Sequence, residues 1–133
     1  MSRSPLVMLK PERRFPRGSS ELVDSTIGWR FVNKLMEKTH GIDSMPETGE
    51  NVAQEWGVSR EDQDAFAVRS QEKAAAAQAN GRLAAEIVPV TIPQKKGDAI
   101  VVDTDEHPRK TSLEALAKLK GVVRTDGTVT AGN

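Results

Sequence analysis

Between Ser59 and Gly81 the chain carries no proline and no internal glycine, and it includes four consecutive alanines, Ala74 to Ala77. Helix nucleation is unfavourable while propagation through good helix formers is easy, so a stretch of this length commits the chain to one long helix. Its ends are marked as well. Ser59 is followed three positions later by Asp62, a capping box with aspartate in place of the usual glutamate, and Glu61 and Asp62 suit the positive end of the helix dipole. Asn80-Gly81 stops the run. A length of 133 residues adds at most one compact unit around this rod, so a single domain over 1–133 is expected.

The flanking segments read as shorter elements. Lys10 to Ser20 combines two prolines, a glycine and several charges without periodicity, which predicts a surface loop or loose hairpin. An irregular stretch then leads to a short helix near Phe31 to Lys38, ended by His40-Gly41. Thr48 is placed to cap another helix that Gly57 closes, with Val52, Ala53 and Trp56 on one face. Past Gly81, Glu86-Ile87-Val88-Pro89-Val90-Thr91-Ile92 is β-branched and predicts a strand, which Pro89 confines to an edge or a bulge. A turn at Lys95 to Asp98 and a strand from Ala99 to Val102 complete a hairpin. Ser112 can cap a helix from Leu113 to Leu119, and Thr128 to Ala131 reads as a strand after the Thr125-Asp126-Gly127 turn. A terminal strand without a partner points to truncation. The fold class is therefore mixed α/β (α+β), with about three helices and a small β-sheet or hairpin.

Composition narrows the function classes. The absence of cysteine excludes disulfides, thiolate metal sites and cysteine nucleophiles from these residues. Nineteen basic and nineteen acidic residues balance, which supplies no long-range field for nucleic acid or an anionic membrane. No signal-type apolar start and no apolar run of about 20 residues occurs, so a soluble cytoplasmic protein is expected. The apolar fraction is 37% and the aromatic fraction 4%, so burial per residue is thin and apolar surface is expected to need a partner. His40 and His107 lack neighbouring ligands for zinc, and Asp103, Asp105 and Glu106 lack the spacing of a calcium loop, so no metal site is expected.

Four ordered strings carry more information. They are Gly49-Glu50-Asn51-Val52-Ala53, Ser59-Arg60-Glu61-Asp62-Gln63-Asp64-Ala65-Phe66-Ala67, Glu86-Ile87-Val88-Pro89-Val90, and Gly127-Thr128-Val129-Thr130-Ala131-Gly132-Asn133. In this order and at these intervals they resemble thiolases. Gly28-Trp29-Arg30-Phe31 and Asp43-Ser44-Met45-Pro46-Glu47-Thr48 are similar to the β-ketoadipyl-CoA branch, and Met1-Ser2-Arg3-Ser4-Pro5 resembles the segment after the nucleophilic cysteine region. The resemblance covers essentially the whole chain and implies the loop domain inserted in the N-terminal half, which covers bound coenzyme A. It also implies that the nucleophilic cysteine lies upstream of Met1 and the remaining catalytic motifs downstream of Asn133. No catalytic residue is then expected here, and no cofactor beyond coenzyme A and acyl-CoA as substrates.

The resemblance assigns candidate contacts. Arg109 corresponds, across a one-residue gap, to an arginine on the adenine side of coenzyme A, where a guanidinium can stack on the base and pair with phosphate. Its plain alternative is a solvated loop arginine paired with Glu106. Met45 corresponds to a methionine beside the pantetheine arm, although a lone methionine is usually core. Ser44 stands where some relatives have histidine, Ala115 where the family has a serine near adenine, and Val123 where some have an aromatic residue. Ala131 falls near the pantetheine, and Lys118 could approach a phosphate or remain a solvated helix lysine. Arg13, Arg14, Phe15 and Arg17 resemble the loop that contacts another subunit, so a dimer or tetramer is expected, together with packing against the remainder of a thiolase polypeptide. The competing reading is a non-enzymatic binding or assembly module that works alone.

Overall fold

The computed structural model describes residues 3–133, so Met1 and Ser2, which open the segment likened to the post-cysteine region, lie outside the described residues. The chain divides into two compact units, one ending at Met45 and the other formed by Pro46–Asn133.

In the first unit, β1 (Leu6–Val7) pairs antiparallel with β2 (Val23–Asp24), in the register Leu6 to Asp24 and Val7 to Val23. The Ser25 hydroxyl donates to the Pro5 carbonyl at 2.7 Å and extends this pairing by one residue. The 10–20 segment is thus the exposed connection of a short hairpin. α1 (Lys34–His40) starts where the Asn33 side chain accepts from the N–H groups of Leu35 and Met36, satisfying donors that a helix start leaves unpaired. Gly41 follows it at φ 75°, a conformation that costs glycine nothing. The helix lies three residues later than the predicted start at Phe31, because the cap is asparagine.

The second unit is built on α2 (Met45–Trp56) and α3 (Arg60–Ala79). The start predicted at Thr48 is corrected: Thr48 lies inside α2, and Pro46 occupies the first turn, where its missing N–H costs nothing. α3 matches its expected limits. The Ser59 side chain accepts from the Asp62 N–H at 3.1 Å, and its hydroxyl donates to the Asp62 carboxylate at 2.8 Å. Beyond α3 the chain keeps turning, with the Ile87 N–H donating to the Leu83 carbonyl at 3.0 Å, so the predicted strand from Glu86 shortens to β3 (Val90–Ile92). β3 pairs antiparallel with β4 (Ile100–Val102), Thr91 opposite Val101.

α4 (Leu113–Leu116) is a single turn capped by Ser112, three residues shorter than predicted. The reason is Arg60 of α3. Its Nη2 donates to the carbonyls of Leu116 at 2.6 Å and Leu119 at 3.1 Å, occupying groups that another helical turn would need. The mixed α/β class therefore holds, with three multi-turn helices, this one-turn helix and two small antiparallel sheets.

Burial is sparse. Among the described residues the buried hydrophobic side chains are Ala53 and Leu116, while Trp56 is 75% exposed and both strands of the β3–β4 hairpin are exposed throughout. The polar side chains Glu50, Asp64 and Thr130 are buried instead, so the second unit is organised as much by hydrogen bonds as by apolar packing.

Candidate coenzyme-A site

Thr128 to Ala131 reads as a strand in the sequence, and the structure corrects this. Side chains take its backbone donors instead. The Glu50 carboxylate, projecting from α2, accepts the Thr128 N–H at 3.0 Å and the Val129 N–H at 2.8 Å. Asn133 Oδ1 accepts the Thr130 N–H at 2.7 Å, and Asn133 Nδ2 donates to Asp64 of α3 at 2.7 Å. Asp64 in turn accepts from Arg60 Nε at 2.9 Å. Burial raises the Glu50 pKa, but the two backbone N–H donors and the Thr128 hydroxyl outweigh it and hold the carboxyl below its usual value. Arg124 completes the frame. Its guanidinium donates to Glu47, to Asn51 Oδ1 at 2.6 Å and to Gln54 Oε1 at 3.2 Å, and the Glu47 bond, with the nearby Glu50 and Asp126 carboxylates, raises the Arg124 pKa.

This frame sets Ala131 and Gly132 against α4. Between them opens a cavity of about 470 Å³ lined by Gln71, His107, Arg109, Lys110, Ala115 and Ala131 together with Leu116 and its neighbours. Arg109 and Lys110 are among its lining residues and, among the described residues, no carboxylate lines it, so an anion with an apolar body suits it. A second cavity of about 520 Å³ lies on the other side of the 109–111 segment, against α3, and shares Gln71, Arg109 and Lys110 with the first. The backbone carrying Arg109 is tied to α3 by two glutamines. The Arg109 N–H donates to Gln71 Oε1 at 2.7 Å, and Gln78 Nε2 donates to the Asp105 carbonyl, also at 2.7 Å. Among the described residues the Arg109 guanidinium makes no hydrogen bond or ion pair, so it does not pair with Glu106.

Three of the residues singled out from the sequence, Arg109, Ala115 and Ala131, therefore come together on one cavity. Lys118 and Val123 are exposed and do not line it. Ser44 and Met45 stand at the start of α2, Met45 78% exposed, where the first unit ends. Arg13, Arg14, Phe15 and Arg17 occupy the exposed hairpin connection, with the Arg14 guanidinium 5.6 Å from the centre of the 80% exposed Phe15 ring. Asp103, Asp105 and Glu106 are exposed, and Asp105 accepts the His107 N–H at 2.9 Å in a local turn. Among the described residues no group of three or more His, Cys, Asp or Glu could hold a metal ion, and no helix is long and apolar enough to cross a membrane.

Sequence reasoning passed over Glu50, Asp64, Asn133, Gln71 and Gln78. The first three sit inside the strings that carry the resemblance, which is the one signal that could have found them. The two glutamines are seven residues apart on α3 and so share its face, but nothing in their spacing names a segment nearly forty residues away as their partner.

Comparison with known proteins supplies the context. Residues 1–133 match the family model described as thiolase, N-terminal domain. The chain is 59% identical over 134 residues to a beta-ketoadipyl-CoA thiolase of Acinetobacter baylyi and 61% identical to one of Pseudomonas putida; in both cases the match covers 100% of this chain and 33% of the relative. A 3-oxoadipyl-CoA/3-oxo-5,6-dehydrosuberyl-CoA thiolase of Escherichia coli is 54% identical over the same extent. The chain thus spans about a third of the length of these curated relatives. Its structure is similar to the crystal structure of the Bacillus anthracis acetyl-CoA acetyltransferase, with a TM-score of 0.69 and 37% identity, covering 98% of this chain and 32% of that one. On the match of its whole length, and on a fold shared with a solved member, this chain belongs to the thiolase family and corresponds to its N-terminal domain.

Proposed function

We propose that these residues are the coenzyme-A-gripping and subunit-contacting part of an acyltransferase that cleaves a 3-oxoacyl-CoA, specifically 3-oxoadipyl-CoA, with free coenzyme A, giving acetyl-CoA and a shortened acyl-CoA. The observation that carries the reading is the cavity on which Arg109, Ala115 and Ala131 converge. Arg109 presents a guanidinium not engaged within the described chain, Lys110 adds a second cation, and the small side chains of Ala115 and Ala131 leave room for a flat base and a thin pantetheine arm. Holding the nucleotide at a distance fixes the thioester without taking part in the bond changes. The β-ketoadipyl preference is supported by the names of the relatives that are 54–61% identical.

Within this proposal the protein is cytoplasmic, needs no metal or other cofactor, and assembles as a dimer or tetramer through Arg13, Arg14, Phe15 and Arg17. Met45 and Ser44 belong to the acyl end of the substrate, and Lys118 and Val123 to the margin of the nucleotide site. Thiolysis itself falls to a cysteine and a histidine supplied by sequence other than these residues, since the chain has no cysteine.

The test is a chimera in which these 133 residues replace the matching third of the Acinetobacter relative. Thiolysis of 3-oxoadipyl-CoA is expected, and Arg109→Ala should raise KM for coenzyme A about tenfold with kcat little changed. An unchanged KM in that variant, or thiolysis by the 133-residue chain alone, would overturn the reading.

A further inference from the structure

Arg109 sits in a stretch of exposed chain that contributes no buried side chain from Asp103 to Lys110. An arginine on such a segment grips a ligand well only if its own backbone is held, because each freely moving residue adds ordering entropy to the cost of binding. The described hydrogen bonds that tie this segment to the helices are the two from α3. Gln71 accepts the Arg109 N–H at 2.7 Å, and Gln78 donates to the Asp105 carbonyl at 2.7 Å. A local turn, in which Asp105 accepts the His107 N–H at 2.9 Å, stiffens the span between them.

We infer that Gln71 is a positioning residue for coenzyme A, acting through the Arg109 backbone, with Gln78 as a second and weaker tether. The inference rests on the coenzyme-A reading of Arg109 given above. Gln71 suits the role because it stands in the wall shared by the two cavities on either side of the 109–111 segment. It is half-buried, so its amide is kept from swinging fully into solvent, and it projects from α3, the longest helix of the described unit. Gln78, also half-buried two turns further along the same face, fixes the other end of the span and so sets its direction.

The experiment is a thermodynamic cycle between positions 71 and 109, with coenzyme A as the titrant. Binding to the full chain is followed by amide NMR, which reads weak affinities, and KM and kcat are measured in the Acinetobacter chimera. Gln71→Met keeps the length of the side chain and removes the acceptor. It should weaken coenzyme A about fivefold, as expected for the placement supplied by one hydrogen bond, and leave kcat within about twofold. In the Arg109→Ala background the same change should have almost no further effect, because a positioning residue has nothing left to position. Gln71→Asn, one methylene too short to reach, should reproduce the effect if the methionine variant is unstable.

The outcomes separate cleanly. If Arg109→Ala leaves coenzyme A affinity unchanged, the reading of Arg109 falls and this inference falls with it. If Arg109→Ala weakens binding while Gln71→Met and Gln71→Asn do not, only the positioning role is overturned. Additive losses in the double variant, or a fall in kcat with unchanged KM, would likewise overturn it.

Discussion

Two segments of the second unit cross the same helix and are held in opposite ways. The closing segment from Gly127 to Asn133 is gripped by charged or amide side chains that are themselves buried or partly buried, with Glu50, Asp64 and Asn133 accepting or donating at 2.7–3.0 Å. The segment from Asp105 to Arg109 lies exposed and is tied to α3 through two neutral amides. A buried carboxylate that has lost its water depends on every donor it receives, so its partners are fixed in place. A half-buried glutamine still has water as a competitor, so its bond contributes less to stability while fixing where the backbone lies. The first arrangement makes a buried frame, and the second is a lighter tether on the Arg109 backbone.

The comparison is most severely tested at Gly127, where a Cβ would lie 2.2 Å from Glu50 Oε1 and 3.1 Å from Arg124 Cβ. Gly127→Ala should displace the Glu50 carboxylate from the Thr128 and Val129 N–H groups and cost about 3 kcal/mol of stability, read by urea denaturation. A loss near zero would mean that the frame yields as easily as the tether. Glu50→Gln is expected to cost about 2 kcal/mol, because the amide can accept one of the two N–H groups but turns its own donor toward the other.

Of the two arrangements, acid should act on the frame and leave the neutral amides of the tether unchanged. The folded Glu50 pKa lies below its ordinary value of 4.5, so its contribution is complete above pH 4.5 and is lost as pH falls through the lowered folded value. Denaturation midpoints measured from pH 6 downward should fall, and Glu50→Gln should flatten that fall. The smallest effect belongs to the tether: Gln78→Ala should change stability by no more than about 0.5 kcal/mol, and a loss as large as that of Glu50→Gln would erase the distinction.

The parts of the fold legible in the sequence were those decided within a few residues. The Ser59 and Asp62 cap, the extent of α3, the Gly41 stop and the β3–β4 hairpin all rest on contacts no longer than one turn or one hairpin. Two misreadings have distant causes, whereas the starts of α1 and α2 shift because of the neighbouring Asn33 and Pro46. Thr128 to Ala131 alternates as a strand would, yet Glu50 claims its donors from 78 and 79 positions away. α4 stops early because Arg60 reaches it from 56 positions away. At the candidate site, family resemblance pointed to Arg109, Ala115 and Ala131, whereas the glutamines that hold the Arg109 backbone needed coordinates, since a surface glutamine on a helix carries no pattern of its own.

The Arg60 contact also bears on how the two helices depend on each other. A four-residue helix is far too short to persist in water unaided. Arg60 closes its end from α3, while Asp64, one turn along, steadies the guanidinium. The short helix is therefore expected to hold only while docked on the long one, so the two should lose amide protection together in hydrogen exchange. One cation thus joins the stability of the short helix to that of the long one.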